Sequence, residues 1–80
     1  MSTADRILAV IADVVESEEV VSNPDVPLYD VNLLDSLKTV ELMVTLSEEF
    51  RVELSPAEFE RQQWATPRKI VAYLQRKMAA

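Results

Sequence analysis

Apolar residues recur at helical spacing in separate stretches of the chain, and polar, proline-containing segments interrupt them. Ile7, Leu8, Ile11, Val14 and Val15 share one helical face after Ser2 or Thr3, either of which can act as N-cap, and they predict a helix to about Glu16. Over residues 17–34 the period fails, because Ser17, Ser22-Asn23-Pro24-Asp25, Pro27 and Asp30 punctuate Val20, Val21, Val26, Leu28, Tyr29, Leu33 and Leu34. Pro24 and Pro27 forbid a continuous helix there. The segment reads as a long loop with apolar anchors, and loops of that length in compact domains usually serve a function. A second helix is predicted from Ser36 to about Arg51, with Asp35 as its N-cap. Ser55-Pro56-Ala57-Glu58 announces a short third helix, with serine as cap, proline at the first helical position and Glu58 completing a capping box. Thr66-Pro67 repeats the cap-plus-proline signal for a last helix through about Met78, whose apolar face is Ile70, Val71, Tyr73, Leu74 and Met78. The expected fold is all-α, a single domain over residues 1–80 with four helices in the order long, long, short, long.

The second helix carries apolar residues on two sides. At about 100° per residue, Leu42, Met43, Leu46 and Phe50 form one stripe, an ordinary core face. Leu37, Val40 and Val44 lie opposite, bordered by Glu41, Ser47 and Glu48. That second strip is either another core contact, with the long loop, or an exposed docking surface with an acidic rim. Periodicity alone leaves both open.

Composition removes whole classes of chemistry. Histidine and cysteine are absent, which excludes disulfides, thiolate catalysis, zinc fingers and a Ser-His-Asp triad. Glycine is absent too, so no phosphate-cradling P-loop and no dinucleotide fingerprint exists. The N-terminal residues lack the basic start and apolar core of a signal peptide, and no apolar run is long enough to span a membrane, so the expected location is the cytoplasm. Residues 1–60 hold all fourteen acids against Arg6, Lys38 and Arg51, a charge of −11, whereas residues 61–80 hold five bases and no acid, a charge of +5. The net charge of −6 argues against a nucleic-acid partner. The acidic body suits either basic protein partners or solubility alone.

Ser36 stands at the first turn of the second helix, where a covalent phosphate is tolerated by the positive helix end. With no histidine, and with Lys38 two positions away on a different face, nothing activates it as a nucleophile, so another enzyme has to modify it. Otherwise it is a capping or surface serine. Asp30, Asn32, Ser36 and Glu41 fall at calcium-loop spacing, but Leu34 and Asp35 occupy positions that require a ligand and a glycine. No metal site is assigned.

Leu33-Leu34-Asp35-Ser36-Leu37, continued by Thr39-Val40-Glu41-Leu42 and ending in Glu48-Glu49-Phe50, resembles the prosthetic-group site of acyl carrier proteins. In that family the serine of Asp-Ser-Leu carries 4′-phosphopantetheine through a phosphodiester, so the resemblance implies Ser36 as the attachment point. It covers nearly the whole chain and implies an acyl-carrier-protein-like four-helix bundle with a long first loop and a short third helix. The chain is similar, more narrowly, to the D-alanyl carrier proteins of the D-alanine–poly(phosphoribitol) ligase system. Three segments carry that similarity: Asn23-Pro24-Asp25, the Ser36 segment, and Glu58-Phe59-Glu60-Arg61 with Trp64, Thr66, Pro67 and Ile70. Ordinary fatty-acid carriers lack this Phe-x-Arg-x-x-Trp-x-Thr-Pro pattern. Three positions depart from the subfamily: Leu37-Lys38 replace its common Phe-Gly, and Asn32 stands where a glycine usually precedes the Leu-Leu pair. Asparagine still tolerates left-handed backbone. Lys38 interrupts the acidic rim, and Lys38→Glu is expected to restore it.

The resemblance implies a non-catalytic carrier that holds an activated aminoacyl group, D-alanine, as a thioester and delivers it for teichoic acid D-alanylation in the cell envelope. The implied partners are a phosphopantetheinyl transferase, an adenylating ligase for D-alanine or another amino or acyl acid, and a downstream acyltransferase, a membrane-bound one included. The carrier itself is expected to be a monomer. Partner docking falls to Asp35, Leu37, Val40, Glu41, Val44 and Glu48. Trp64 and Phe59 are expected to anchor the third helix, and Arg61 to brace local carboxylates or carbonyls. Two alternatives stay open: a stand-alone acyl or aminoacyl carrier of a natural-product pathway, and a helical adaptor that carries no prosthetic group and binds proteins through the Leu37–Val44 strip.

Overall fold

The computed structural model describes residues 2–79, and its architecture follows from how each helix is started and stopped. Helix α1 spans Thr3–Val15. The Ser2 hydroxyl accepts from the Asp5 amide at 3.1 Å and the Asp5 carboxylate accepts from the Ser2 amide, a capping box that satisfies two end groups. Glu16 stops the helix in the left-handed region at φ 58°, a position that glycine would ordinarily fill. Its amide donates to the Ala12 carbonyl.

The long loop contains one helical turn, α2, over Glu19–Ser22. Four residues are too few to show a period, and α2 exists because Ser17 Oγ accepts from the Glu19 amide and Val20 is fully buried. Beyond it, Val26, Leu28 and Leu34 enter the core as the loop's anchors. Two long-range backbone bonds fasten the loop: the Leu28 amide donates to the Ala65 carbonyl, and the Arg68 amide to the Pro24 carbonyl, each at 2.8 Å. Asn32 turns the chain at φ 62°, which its short polar side chain tolerates.

Helix α3 spans Ser36–Phe50, with Asp35 capping it through a 2.8 Å bond from the Lys38 amide to its carboxylate. Arg51 ends it in the left-handed region at φ 54°. The short third element is two 3₁₀ turns, Pro56–Glu58 and Arg61–Trp64, in place of an α-helix. Ser55 caps the first turn as expected, accepting from the Ala57 amide, but the capping box does not close. The Glu58 carboxylate instead accepts from Lys77 Nζ at 2.8 Å. The final helix, α4, spans Pro67–Ala79, and Thr66 Oγ1 accepts from the Lys69 amide at its start.

Helix α1 is the shared packing partner, lying against α2, α3 and α4. Ile7, Ile11, Leu28, Leu42, Leu46, Trp64, Ile70 and Leu74 are fully buried in one cluster. Burying each leucine or isoleucine contributes about 1.5–3 kcal/mol, so this core holds the elements in place without a disulfide. Trp64 sits between Phe59 and Tyr73, with ring centroids 6.1 and 5.7 Å away in tilted geometry. Met78, expected on the buried face of α4, is 42% exposed because the helix outruns the core there. Among the described residues no helix is long and apolar enough to cross a membrane.

Candidate functional site

Ser36 is the first residue of α3, solvent-exposed, and its hydroxyl makes no hydrogen bond among the described residues. Asp35 does the capping, so the serine side chain is free of structural duty. The same turn supplies backbone N–H groups without intrahelical partners and the positive end of the helix dipole. No side-chain base touches the hydroxyl. The site can receive a group from an external enzyme but has no means of activating itself.

The two faces of α3 separate clearly. Leu42, Met43 and Leu46 are buried, while Leu37, Val40 and Val44 are 78%, 47% and 51% exposed. Glu41 and Glu48 are exposed at the edge of that strip. The strip is therefore a solvent-facing apolar surface with acidic borders, beginning beside Ser36. Phe50, expected to be buried with the core face, is only half-buried, and the Arg6 guanidinium lies 5.2 Å from its ring. The end of α3 overhangs the core, and the cation covers part of the exposed ring.

Lys38 does not stand out on the rim. Its Nζ donates to the Val14 carbonyl at 3.2 Å, in the last turn of α1. That turn has no basic residue of its own and ends with carbonyls that lack intrahelical donors. The lysine thus crosses from α3 to complete the negative end of α1.

Beside Ser36 opens a cleft of about 530 Å³, lined by Ser36, Tyr29, Thr39, Val40, Phe59 and Arg61 among others. A hydrogen-bond chain forms one wall. Thr39 Oγ1 donates to the Asp35 carbonyl at 2.6 Å, so the Tyr29 hydroxyl, 2.8 Å from Thr39 Oγ1, is the donor in the next bond. Arg61 lies with its guanidinium 4.4 Å from the centre of the Tyr29 ring. It stacks there and does not brace a carboxylate: among the described residues the ion pairs are Arg68 with Asp25 and Lys77 with Glu58. Phe59 has both expected and unexpected contacts, since it packs on Trp64 and also lines the cleft. The helix start and the family resemblance pointed to Ser36, and periodicity left the α3 strip open between core contact and docking surface; neither carried a signal that Tyr29 and Arg61 meet, since they lie far apart in the chain and come together only through the loop.

The perturbed ionisable groups lie away from this site. Asp25 is held below the ordinary carboxylate range, first by its hydrogen bond from Arg68 and then by the charge of that guanidinium, and Arg68 is raised reciprocally. Lys77 is raised, chiefly by its hydrogen bond to Glu58. Among the described residues no three acidic side chains gather to hold a metal ion.

A family model described as the phosphopantetheine attachment site matches residues 5–74. The chain is similar to the D-alanyl carrier protein of Listeria welshimeri, 36% identical over 75 residues that cover 94% of this chain and 96% of that one. Similarity to the D-alanyl carrier protein of Staphylococcus saprophyticus is 37% over the same shares. With the D-alanyl carrier protein of Lacticaseibacillus casei the identity is 44% over 66 residues, 82% of each chain.

Proposed function

The chain belongs to the phosphopantetheine-attachment family of non-catalytic carrier proteins, and from that premise we propose that Ser36 bears the prosthetic group and that its cargo is D-alanine. The observation that carries the site is the state of Ser36: exposed, at the start of α3, with a hydroxyl engaged by nothing and Asp35 already serving as cap. A bulky phosphodiester fits there. The helix end favours the negative charge, and the open cleft leaves room beside it. When bound, 4′-phosphopantetheine supplies a thiol that holds an acyl or aminoacyl group as a thioester. The chain's own part is to present that arm and to be recognised.

Recognition falls to the α3 surface. Leu37, Val40 and Val44 offer an apolar patch, with Asp35, Glu41 and Glu48 around it to meet basic grooves on partner enzymes. The partners are a phosphopantetheinyl transferase, an adenylating D-alanine ligase and a downstream acyltransferase that consumes the thioester. The D-alanine assignment is supported by the names of the relatives and by their identity over most of the chain. The fold also accommodates the departures from the subfamily pattern at two positions. Asn32 adopts the left-handed backbone that a glycine would, and Lys38 is bound to α1. Cytoplasmic location and a monomeric state complete the proposal.

The test is mass spectrometry of the intact protein after incubation with coenzyme A and a broad-specificity phosphopantetheinyl transferase. Wild type is expected to gain one phosphopantetheine and Ser36→Ala none. Wild type unmodified by several such transferases would instead favour the helical adaptor.

A further inference from the structure

The cleft beside Ser36 holds one cation. Of the residues that line it, Arg61 is the only base, and Asp35 the only acid. Lys38 is closer in sequence, but its ammonium is committed to the Val14 carbonyl at the end of α1. Arg61 is exposed, without a carboxylate partner among the described residues. An arginine in that condition has a full set of N–H donors available to an anion.

Its position is built. The 3₁₀ turn that carries Arg61 ends in Trp64, which is fully buried, so the backbone of the turn is fixed to the core. The bond from the Leu28 amide to the Ala65 carbonyl ties the same turn to the loop bearing Tyr29. The guanidinium carbon lies 4.4 Å from the centre of the Tyr29 ring, and among the described residues no hydrogen bond engages its N–H donors. The Tyr29 ring is itself held, because its hydroxyl donates to Thr39 Oγ1. From Arg61 the line of contacts runs 4.4 Å to the Tyr29 ring, 2.8 Å from its hydroxyl to Thr39, and 2.6 Å from Thr39 to the carbonyl of Asp35, the neighbour of Ser36. The cation is preorganised on the wall of the cleft into which a group on Ser36 would project.

We infer that Arg61 binds the phosphodiester of the arm carried by Ser36 and so draws the first segment of the arm into the cleft, over Tyr29 and Phe59. The inference rests on Ser36 being the attachment site. A phosphodiester on Ser36 is a monoanion next to the Asp35 carboxylate, and two like charges at one helix start repel. Arg61 offsets that repulsion, with edge N–H groups suited to two phosphate oxygens at once. The apolar faces of Tyr29 and Phe59 would then cover the aliphatic part of the arm that follows the phosphate.

The test compares apo and holo forms of the full chain by nuclear magnetic resonance, with intact mass showing that wild type, Arg61→Gln and Arg61→Lys each take up one arm. In wild type, loading is expected to shift the Arg61 Nε–H resonance. Nuclear Overhauser contacts should appear between the geminal methyls of the arm and the Tyr29 and Phe59 rings. In holo Arg61→Gln the ³¹P resonance should move from its wild-type position and those contacts should be lost, whereas Arg61→Lys should retain part of them. Identical ³¹P and arm signals in holo wild type and holo Arg61→Gln would overturn the inference while leaving the attachment site standing. A wild type that gains no mass on Ser36 would remove both. If Arg61→Gln fails to fold, the wild-type comparison decides alone: an Arg61 Nε–H signal unmoved between apo and holo protein overturns the inference.

Discussion

Replacing Lys38 separates two roles that a lysine next to the attachment serine can have. If it faced partners with basic grooves, Lys38→Glu would extend the acidic rim and help docking or leave it unchanged, the outcome expected from the sequence. Its side chain instead crosses to α1, where Nζ donates to the Val14 carbonyl at 3.2 Å. A hydrogen bond from a charged donor contributes about 1.5–3 kcal/mol, and a cation at a helix C-terminus about 0.3–1 kcal/mol. Lys38 is only half-buried, so the lower part of that range applies. Lys38→Met keeps the apolar stem and loses the bond, at a cost of about 1.5 kcal/mol. Lys38→Glu adds an anion at the negative end of α1, for about 2 kcal/mol. For a domain of this size each kcal/mol lowers Tm by about 4–8 °C. Thermal unfolding of the apo proteins by circular dichroism should therefore rank Lys38→Glu below Lys38→Met, and both below Lys38→Arg and wild type. Arm installation, measured well below the midpoint, should proceed at near the wild-type rate in Lys38→Met. A Lys38→Met protein as stable as wild type, with faster loading, would refute the capping role and return the lysine to the docking rim.

Three further outcomes follow from the same geometry. Val40→Asp or Glu41→Lys should slow arm installation several-fold with an unchanged unfolding midpoint, the Glu41→Lys defect being larger at low salt; Leu46→Asp should unfold the domain by burying an unpaired charge, a contrast that circular dichroism reads directly. Asp35→Ala should cost about 1 kcal/mol in urea unfolding, because it removes the cap of α3, while Ser36→Ala should change stability by a few tenths of that; equal costs would mean the cap is misassigned. The lowered pKa of Asp25 means that its pair with Arg68 adds stability above the unfolded carboxylate pKa and loses it as pH falls through the folded value, so the midpoint gap between wild type and Arg68→Gln should narrow on acidification; a gap constant across that range would contradict the pair's contribution.

Helices α1, α3 and α4 were legible because each has a capping residue beside a helical apolar period: Ser2, Asp35 and Thr66 mark their starts within a residue. Helix α2 was not, since one turn ahead of Pro24 has no period to detect and depends on the burial of Val20. The start of the third element was legible in Ser55-Pro56, but the winding was not: Glu58 is drawn to Lys77, a partner on α4 that local sequence does not reveal. The two-sided pattern of α3 posed a choice that only packing decides, and α1 covers the Leu42 side alone. Ser36 stood out from the pattern around it. Arg61 stood out only as part of the Phe-x-Arg-x-x-Trp-x-Thr-Pro pattern and Tyr29 only as a loop anchor, and their meeting emerges only when the loop folds against the 3₁₀ turns. The sequence places Lys38 on its helix but does not reveal that it reaches α1, since rotamer and neighbour decide where a long side chain ends.

The central claim is that Ser36 carries a thiol arm loaded with D-alanine. The most direct measurement is fragment-ion mass spectrometry of the protein after treatment with a phosphopantetheinyl transferase and coenzyme A, then an adenylating D-alanine ligase with ATP and D-alanine. The account predicts one alanyl-phosphopantetheine located on the Ser36 peptide, with the alanyl group released by hydroxylamine as a thioester is, and much less loading from L-alanine. A Ser36 peptide that stays unmodified, or an arm that accepts an unrelated acyl group from its cognate ligase and never D-alanine, would contradict it.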